Sequence, residues 1–307
     1  MEKNEIAVLY GDEPEGMARR IAEETRLADL IGAREKRVGI KPNLVVARPA
    51  CEGATTHPEI IRGLVLYLTA QGFANLSIME GSWVGDNTDS AFKRCGYRDI
   101  AAETGVELVN LQADGSRTYD CQGMNIAICD RALEVDFMIN VPVLKGHCQT
   151  LLTCALKNAK GLIPNTEKRR FHTLGLHKPI AHLNTAVRND FVLVDNICGD
   201  LDFEEGGNPV PAGRLFAARD PVLCDAWACT LLGYEAAAVP YIGLSARLGV
   251  GCGDVRDACI RELNRCSESA AFPLPQGKAR RLGRAVREDK ACSACYAALI
   301  FALSRLG

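Results

Sequence analysis

Short runs of apolar residues alternate along the chain with stretches in which apolar residues recur at helical spacing. Many of the short runs do not alternate with polar residues, which is typical of strands buried on both faces of a parallel sheet. They predict strands over residues 6–10, 38–40, 76–79, 106–111, 124–129, 137–143 and 191–194.

The stretches between these runs predict helices over residues 17–31, 58–71, 90–95, 151–160 and 221–232. Capping signals support two of them, because Thr55 and Thr56 precede the second helix and Asp220 precedes the last. Regular alternation of strands and helices predicts an α/β fold with a mainly parallel, doubly wound sheet. We assign residues 1–234 to this core, as one body or two lobes, and residues 235–307 to a small C-terminal cysteine-bearing segment.

Composition argues against a nucleic-acid-binding protein and against a membrane-spanning one, but it does not indicate a reaction. The 307 residues are 48% hydrophobic and 24% charged, with a formal net charge of −2, so there is no overall positive field for nucleic acid. No apolar run reaches the roughly 18–20 residues of a membrane span, and the first residues are polar. We therefore expect a cytoplasmic protein that binds neither nucleic acid nor a membrane.

Positive charge is concentrated in residues 145–182, here called the basic block. It holds seven lysines and arginines, a single acid, Glu167, and four of the five histidines, while His57 stands alone. The block directly follows the apolar run 137–143, and open α/β sheets bind ligands beyond the carboxyl ends of their strands. It predicts a site for an anion such as phosphate or carboxylate, with at least one functional histidine; the alternative is a solvated basic loop.

Residues 195–208, here called the acidic loop, come next and carry five acids and no base. Asp195 follows the run 191–194, and a carboxylate at a strand end is a common catalytic acid or ligand of a hard metal ion. A divalent cation that bridges an anionic substrate to this loop is one interpretation. Mutual neutralisation of the basic block and the acidic loop across a cleft is the other.

Cysteine is unusually frequent for a cytoplasmic chain, with fourteen residues. Because cytoplasmic thiols stay reduced, the surplus suggests a soft metal, an iron–sulfur cluster or thiol chemistry. Cys292 and Cys295 form a C-x-x-C pair before an apolar stretch, and we interpret them as ligands of a metal or [4Fe-4S] cluster. A redox dithiol and two inert thiols are the alternatives, and Cys252 and Cys259 are candidates for further ligands.

Several linked motifs give the sequence a family resemblance. They are Lys41-Pro42-Asn43-Leu44-Val45, Ala54-Thr55-Thr56-His57-Pro58-Glu59, Glu80-Gly81-Ser82-Trp83, Asn140-Val141-Pro142-Val143-Leu144-Lys145-Gly146-His147 and Ala155-Leu156-Lys157-Asn158-Ala159-Lys160-Gly161. The chain resembles the family called domain of unknown function 362 over about residues 36–232. The resemblance implies an α/β fold and an association with iron–sulfur chemistry, because relatives often carry a ferredoxin-like module. This chain departs from that pattern and has only the Cys292/Cys295 pair.

The motif residues repeatedly follow predicted strands, so we expect them to meet at one edge of the sheet. One cleft is predicted to be lined by Lys41, Asn43, Lys145, His147, Lys157 and Asn158. We assign catalytic roles to Lys145, His147, Lys157 and Asp195, and binding of a cofactor or ligand to Lys41, Asn43, Asn158 and Lys160.

Three functions fit these observations. The first is an enzyme that depends on a metal or an iron–sulfur cluster and acts on a small anion, with a redox protein or a second copy of the chain as a partner. The second is a hydrolase or transferase that uses carboxylates and a divalent cation without redox chemistry. The third is an accessory protein that holds an anion or a cluster without catalysis.

Overall fold

The computed structural model describes residues 1–265 and 274–306 and consists of strands that alternate with helices. The strands are β1 (Glu5–Tyr10), β2 (Val38–Pro42), β3 (Leu76–Glu80), β4 (Glu107–Asn110), β5 (Ser116–Asp120), β6 (Asn125–Cys129), β7 (Phe137–Val141), β8 (Lys145–His147), β9 (Leu151–Thr153), β10 (Phe191–Asp200), β11 (Pro209–Ala218) and β12 (Cys259–Glu262). The helices are α1 (Pro14–Glu24), α2 (Leu27–Ile31), α3 (Pro58–Ala70), α4 (Thr88–Arg94), α5 (Tyr97–Thr104), α6 (Asp130–Glu134), α7 (Ala155–Asn158), α8 (Asn165–Leu174), α9 (His177–Leu183), α10 (Pro221–Leu231), α11 (Pro240–Arg247), α12 (Lys278–Gly283) and α13 (Ser293–Leu303).

One eight-stranded sheet organises the molecule, in the order β12-β1-β11-β10-β7-β2-β3-β4. Strand β11 runs antiparallel to both of its neighbours, and all other neighbouring pairs are parallel. The carboxyl ends of β3, β2, β7 and β10 therefore lie along the same edge. Two small antiparallel ribbons, β5–β6 and β8–β9, lie outside this sheet.

Apolar side chains cover both faces of the sheet, as a doubly wound fold requires. Leu193 packs on one face with the buried residues of α1, α2 and α3, whereas its neighbours Val192 and Val194 pack on the other face with those of α7, α9, α10 and α11. Strand β10 can be apolar on successive positions because helices bury both of its faces. The fold is α/β with a mainly parallel, doubly wound sheet, which confirms the class predicted from the sequence.

The helix predicted over residues 151–160 is wrong in its first half. Leu151 has a left-handed φ of 63° and begins β9, which pairs with β8. The side chain of Asp225 accepts hydrogen bonds from the backbone N–H groups of Ala155 (2.8 Å) and Leu156 (3.2 Å), so the helix begins at Ala155. A turn of 3-10 helix over Ala159–Leu162 follows α7.

The strand predicted over residues 191–194 is too short. Strand β10 continues to Asp200 because it pairs with β11, a strand that the sequence pattern did not predict. Asp195 therefore lies inside the strand, not at its end. The helix predicted over residues 17–31 is also divided, because Arg26 adopts a left-handed φ of 55° between α1 and α2.

The chain after residue 234 packs on the α/β core. Strand β12 joins the main sheet by parallel pairing with β1. Helices α12 and α13 bury Ala279 and Ile300 against Phe203 of the acidic loop. Leu299 remains 45% exposed, so only part of the apolar surface of α13 is covered by the core.

Candidate functional site

A buried hydrogen-bond network joins the motifs at the edge of the sheet. The Lys41 amine lies 2.8 Å from one oxygen of Glu80 and donates to the other at 2.9 Å. Asn158 accepts a hydrogen bond from the side-chain amide of Asn43 at 2.8 Å and donates to Asn140 at 2.7 Å. Residues that end β2, β3 and β7 are thus tied to α7, and the network fixes their side chains relative to one another.

Lys145 extends this network from the strand that follows β7. Its amine is buried and donates to the side-chain oxygen of Asn43 (3.0 Å) and to the backbone oxygens of Ala54 and Glu204, the latter at 2.8 Å. Burial lowers the pKa of Lys145 to about 7. Three acceptors occupy the three donors of its ammonium group, so Lys145 stabilises the network and does not line the pocket in front of it.

An open pocket of about 540 Å³ lies in front of this network. Four lysines reach it, namely Lys41, Lys157, Lys160 and Lys168, and we call this pocket the lysine pocket. Glu80 and Glu204 are its two acids, and His172, Ser82 and Trp83 also line it. With four lysines against two carboxylates, the lining favours an anionic ligand.

Desolvation controls the protonation of these amines. Burial lowers the pKa of Lys160 to about 7 and that of Lys168 to about 8. Burial, with the neighbouring charges of Lys160 and Lys145, holds the pKa of Lys157 well below its usual range. Burial and the two nearby amines also lower the pKa of His172 to about 3, so its imidazole is neutral at pH 7. Some of these amines can therefore gain or lose a proton near neutral pH.

Contacts within the pocket place the titrating groups next to one another. The Lys160 amine lies 3.2 Å from Nε2 of His172, and the Lys157 amine lies 3.3 Å from the hydroxyl of Thr153 and 3.5 Å from Glu204. Lys168 donates at 2.9 Å to the backbone oxygens of residues 81 and 82. Lys157 and Lys160 are therefore the amines best placed to meet a bound ligand.

The acidic loop folds against the basic block. Glu204 contacts both His147 and Lys157. Burial and the charge of Lys157 hold the pKa of His147 well below its usual value, and its Nδ1 accepts hydrogen bonds from the backbone of residues 149 and 150. His147 lines a different cavity, beside Tyr296 and Arg280, not the lysine pocket.

Asp195 lies apart from the lysine pocket. Its carboxylate accepts hydrogen bonds from His57 and from the backbone N–H of Ile197, and it is fully buried. Asp200 likewise accepts backbone N–H groups with both oxygens. Among the described residues, these carboxylates do not gather around a common point that could hold a metal ion.

The Cys292/Cys295 pair lies at the start of α13. The two sulfur atoms are 3.5 Å apart, and hydrogen bonds from the backbone of Cys295 and Ala294 lower the pKa of Cys292. Within residues 1–265 and 274–306, no third ligating side chain joins the pair, and Cys252 instead contacts Asp257 at 3.1 Å. The described residues therefore do not complete the four-ligand set of a cluster at this pair.

A second thiol group is buried in the core. Cys154, Cys224 and Asp225 bring two sulfurs and a carboxylate within 4.8 Å of one another. Burial raises the pKa of Asp225 to about 7 and that of Cys154 well above its usual value. Both oxygens of Asp225 already accept N–H groups at the start of α7, so a metal ion here would have to displace that cap.

The model of the family described as Domain of unknown function (DUF362) matches residues 38–230, well over half of the chain. The chain belongs to this family. Every lysine of the lysine pocket lies within the matched region of the DUF362 domain, whereas Cys292 and Cys295 lie outside it.

Two individual proteins are similar to this DUF362 chain. A thylakoid-associated protein of Synechocystis sp. is 23% identical over 225 residues, which cover 70% of this chain and 68% of the relative. The lactate racemase apoprotein of Thermoanaerobacterium thermosaccharolyticum aligns with a TM-score of 0.45 and 14% identity over 69% of this chain. The chain spans about half the length, 54%, of that racemase. The described part of the chain contains no helix that is long and apolar enough to cross a membrane.

Sequence reasoning missed four residues of this site. Glu80, Lys168, His172 and Glu204 line the pocket, and the last three lie in the basic block or the acidic loop. Glu80 carried a signal, because it directly follows an apolar strand and precedes Gly81. Lys168 and His172 are four residues apart on α8, which places them on one helix face, but the sequence pattern did not predict that helix.

Proposed function

We propose that this DUF362 protein is an enzyme that binds a small anionic substrate in the lysine pocket and uses one of its amines as a general acid or base. The observation that carries the proposal is the convergence of four lysines on a pocket with only two carboxylates. Because burial lowers the pKa values of Lys157, Lys160 and Lys168, an anion bound beside them would stabilise their protonated forms.

The substrate would be held by its anionic group. Lys157 and Lys160 supply donors that suit a carboxylate, phosphate or sulfate, while Asn158 and the Lys41–Glu80 pair keep the floor of the pocket rigid.

Proton transfer is the chemistry that the pocket supports best. A general base works best when its pKa lies near the operating pH, and the pKa of Lys160 is about 7. His172, which is neutral and lies 3.2 Å from the Lys160 amine, can orient that amine. A substrate anchored at Lys157 would thus present a neighbouring carbon or oxygen to a weakly basic amine.

Isothermal titration with sulfate, phosphate and oxalate at low ionic strength tests the binding step. The Lys157→Met variant should bind the preferred anion at least about tenfold more weakly, since a charged hydrogen bond contributes about 1.5–3 kcal/mol. The matched control is Lys178→Met, an exposed lysine of the same basic block. Equal affinities in both variants would contradict the proposal, because exposed lysines alone would then explain the binding.

A metal-dependent or iron–sulfur-dependent enzyme is a second candidate, favoured by the lowered pKa of Cys292 at the start of α13. Its further ligands would have to come from a redox partner, a second copy or other residues of this chain. Anaerobic purification followed by iron and sulfide analysis tests it. Bound iron with matching sulfide, lost in Cys292→Ser, would support the cluster, and a metal-free active protein would oppose it.

The proposal places this reaction in the cytoplasm, where thiols stay reduced and small anionic metabolites are available. An accessory protein that binds the same anion without turning it over is distinguished by a turnover screen. Conversion of any small carboxylate or phosphate ester by the protein, but not by Lys160→Met, would favour the enzyme.

A further inference from the structure

A second group of reactive side chains lies outside the lysine pocket, between the start of α3 and the middle of β10. The Nδ1 atom of His57 is 2.8 Å from Oδ2 of Asp195, and its Nε2 atom is 3.8 Å from the sulfur of Cys198. A thiol, an imidazole and a carboxylate thus stand in series, with the imidazole between the other two. This is the geometric arrangement that activates nucleophilic cysteines.

The local backbone fixes this arrangement. The register of β10 shifts against β11 between Asn196 and Cys198, and such a bulge re-aims the side chains beside it. Asp195 is fully buried and also accepts hydrogen bonds from the backbone N–H groups of His57 (2.8 Å) and Ile197 (3.1 Å). The carboxylate is therefore held in one orientation, and it holds the imidazole ring in turn.

Charge in this group favours a protonated imidazole. Burial by itself would lower the pKa of His57, but the charge and hydrogen bond of Asp195 raise it to about 10. Tyr97 packs nearby, is neutral, and donates its hydroxyl to the backbone oxygen of Thr56. The thiol of Cys198 also donates a hydrogen bond to the backbone oxygen of Ala50 at 3.6 Å. The imidazolium thus brings a positive charge into contact with this sulfur.

We propose that Cys198 is a nucleophilic cysteine whose sulfur lies beside the His57 side chain, and that it reacts with small soft electrophiles such as low-molecular-weight disulfides. In that reaction the thiolate attacks one sulfur of the disulfide and forms a mixed disulfide at Cys198. The other sulfur leaves as a thiolate, which takes a proton from solvent, and the His57 imidazolium keeps its pairing with Asp195. Asp195 acts as a positioning residue.

The limited exposure of this group sets the size of its reactant. The His57 side chain is 13% exposed and Cys198 is half-buried. A small molecule can reach the sulfur, whereas a folded protein partner would have little surface to approach. The group is also separate from Lys157 and Lys160, so its chemistry does not depend on the anion site.

Alkylation of the intact protein by iodoacetamide, followed by mass spectrometry of individual peptides, tests the proposal. At pH 6 an ordinary thiol is only about 0.3% thiolate. Cys198 should therefore react at least about tenfold faster than Cys259, an exposed cysteine on β12, although Cys259 is more accessible.

The His57→Gln variant removes the charge and keeps a polar side chain of similar reach. Its rate at Cys198 should fall below that of Cys259 at pH 6, and glutathione disulfide should no longer form a mixed disulfide there. The comparison of Cys198 with Cys259 in the unmodified protein tests the proposal even if the variant does not fold. A Cys198 rate no greater than that of Cys259 at pH 6, or an unchanged rate in folded His57→Gln protein, would overturn it.

Discussion

The affinity of the lysine pocket for an anion should fall as the pH rises from 7 to 9. In the ligand-free protein the pKa of Lys160 is about 7, because burial disfavours its charged form. An anion binds the protonated amine and so raises this pKa. The attraction between the protonated Lys160 amine and the anion is fully present below the pKa of the free protein, about 7. It is lost progressively as the pH rises from that value towards the higher pKa of the complex.

The size of the effect follows from the charge pair. Two unit charges about 4 Å apart interact by about 4 kcal/mol at an effective dielectric constant of 20, which corresponds to about three pKa units. The amine then stays protonated in the complex up to about pH 10. Between pH 7 and 9 the protonated fraction of free Lys160 falls about 50-fold, so Kd should rise about 50-fold.

Titration calorimetry with sulfate measures both the Kd and the number of protons taken up on binding, since sulfate itself does not titrate in this range. Two buffers with different heats of ionisation, at constant ionic strength, give the number of protons taken up. We expect Lys160 to contribute about half a proton at pH 7 and nearly one at pH 8.5. Lys160→Met should lower the uptake by this amount, and Lys178→Met should leave it unchanged. A constant Kd without proton uptake in the unmodified protein would refute the reasoning.

Three further predictions concern the walls of the site. Gly161→Ala should abolish anion binding and lower the free energy of unfolding by about 1–3 kcal/mol, because the new Cβ would lie 2.2 Å from an oxygen of Glu80. Thermal denaturation measures the loss of stability. Gly243→Ala is the control, since its Cβ would meet only ordinary contacts. Glu80→Gln should lower stability by about 3–5 kcal/mol in chemical denaturation, since it leaves a buried amine without its counter-charge, and a change below about 1 kcal/mol would argue against that pair. Alkylation at pH 7 should be faster at Cys292 than at Cys295 in metal-free protein, because backbone hydrogen bonds lower the pKa of Cys292 and the contact with Cys292 raises that of Cys295; equal rates would contradict this difference.

The fold class could be predicted because buried parallel strands leave a local signal. Four of the five residues of β7 and the first four residues of β10 are apolar, and polar residues follow soon after each run. Strand β11 gave no such signal, since its first half carries two prolines and is partly exposed, and it forms by pairing with β10 and β1. Pairing over long sequence separations is a tertiary property, so this strand and the extension of β10 were missed.

The position of the site followed from the strand ends, but the contacts within it did not. Lys41, Asn43 and Asn158 meet as the topology of a parallel sheet suggests. The partner of Asp195, in contrast, is His57, which lies 138 residues earlier in the chain. Nothing local in the sequence marks such a pair, because the pattern alone predicts an acid at a strand end and an isolated histidine.

The most direct test of the central claim is a diffraction experiment on crystals grown at low ionic strength and soaked in selenate. Anomalous scattering from selenium locates the bound anion without assumptions about its chemistry. The account predicts a peak within about 4 Å of the amines of Lys157 and Lys160, inside the pocket that Ser82 and His172 also line. Peaks confined to exposed lysines such as Lys178, with none inside the lysine pocket, would contradict it.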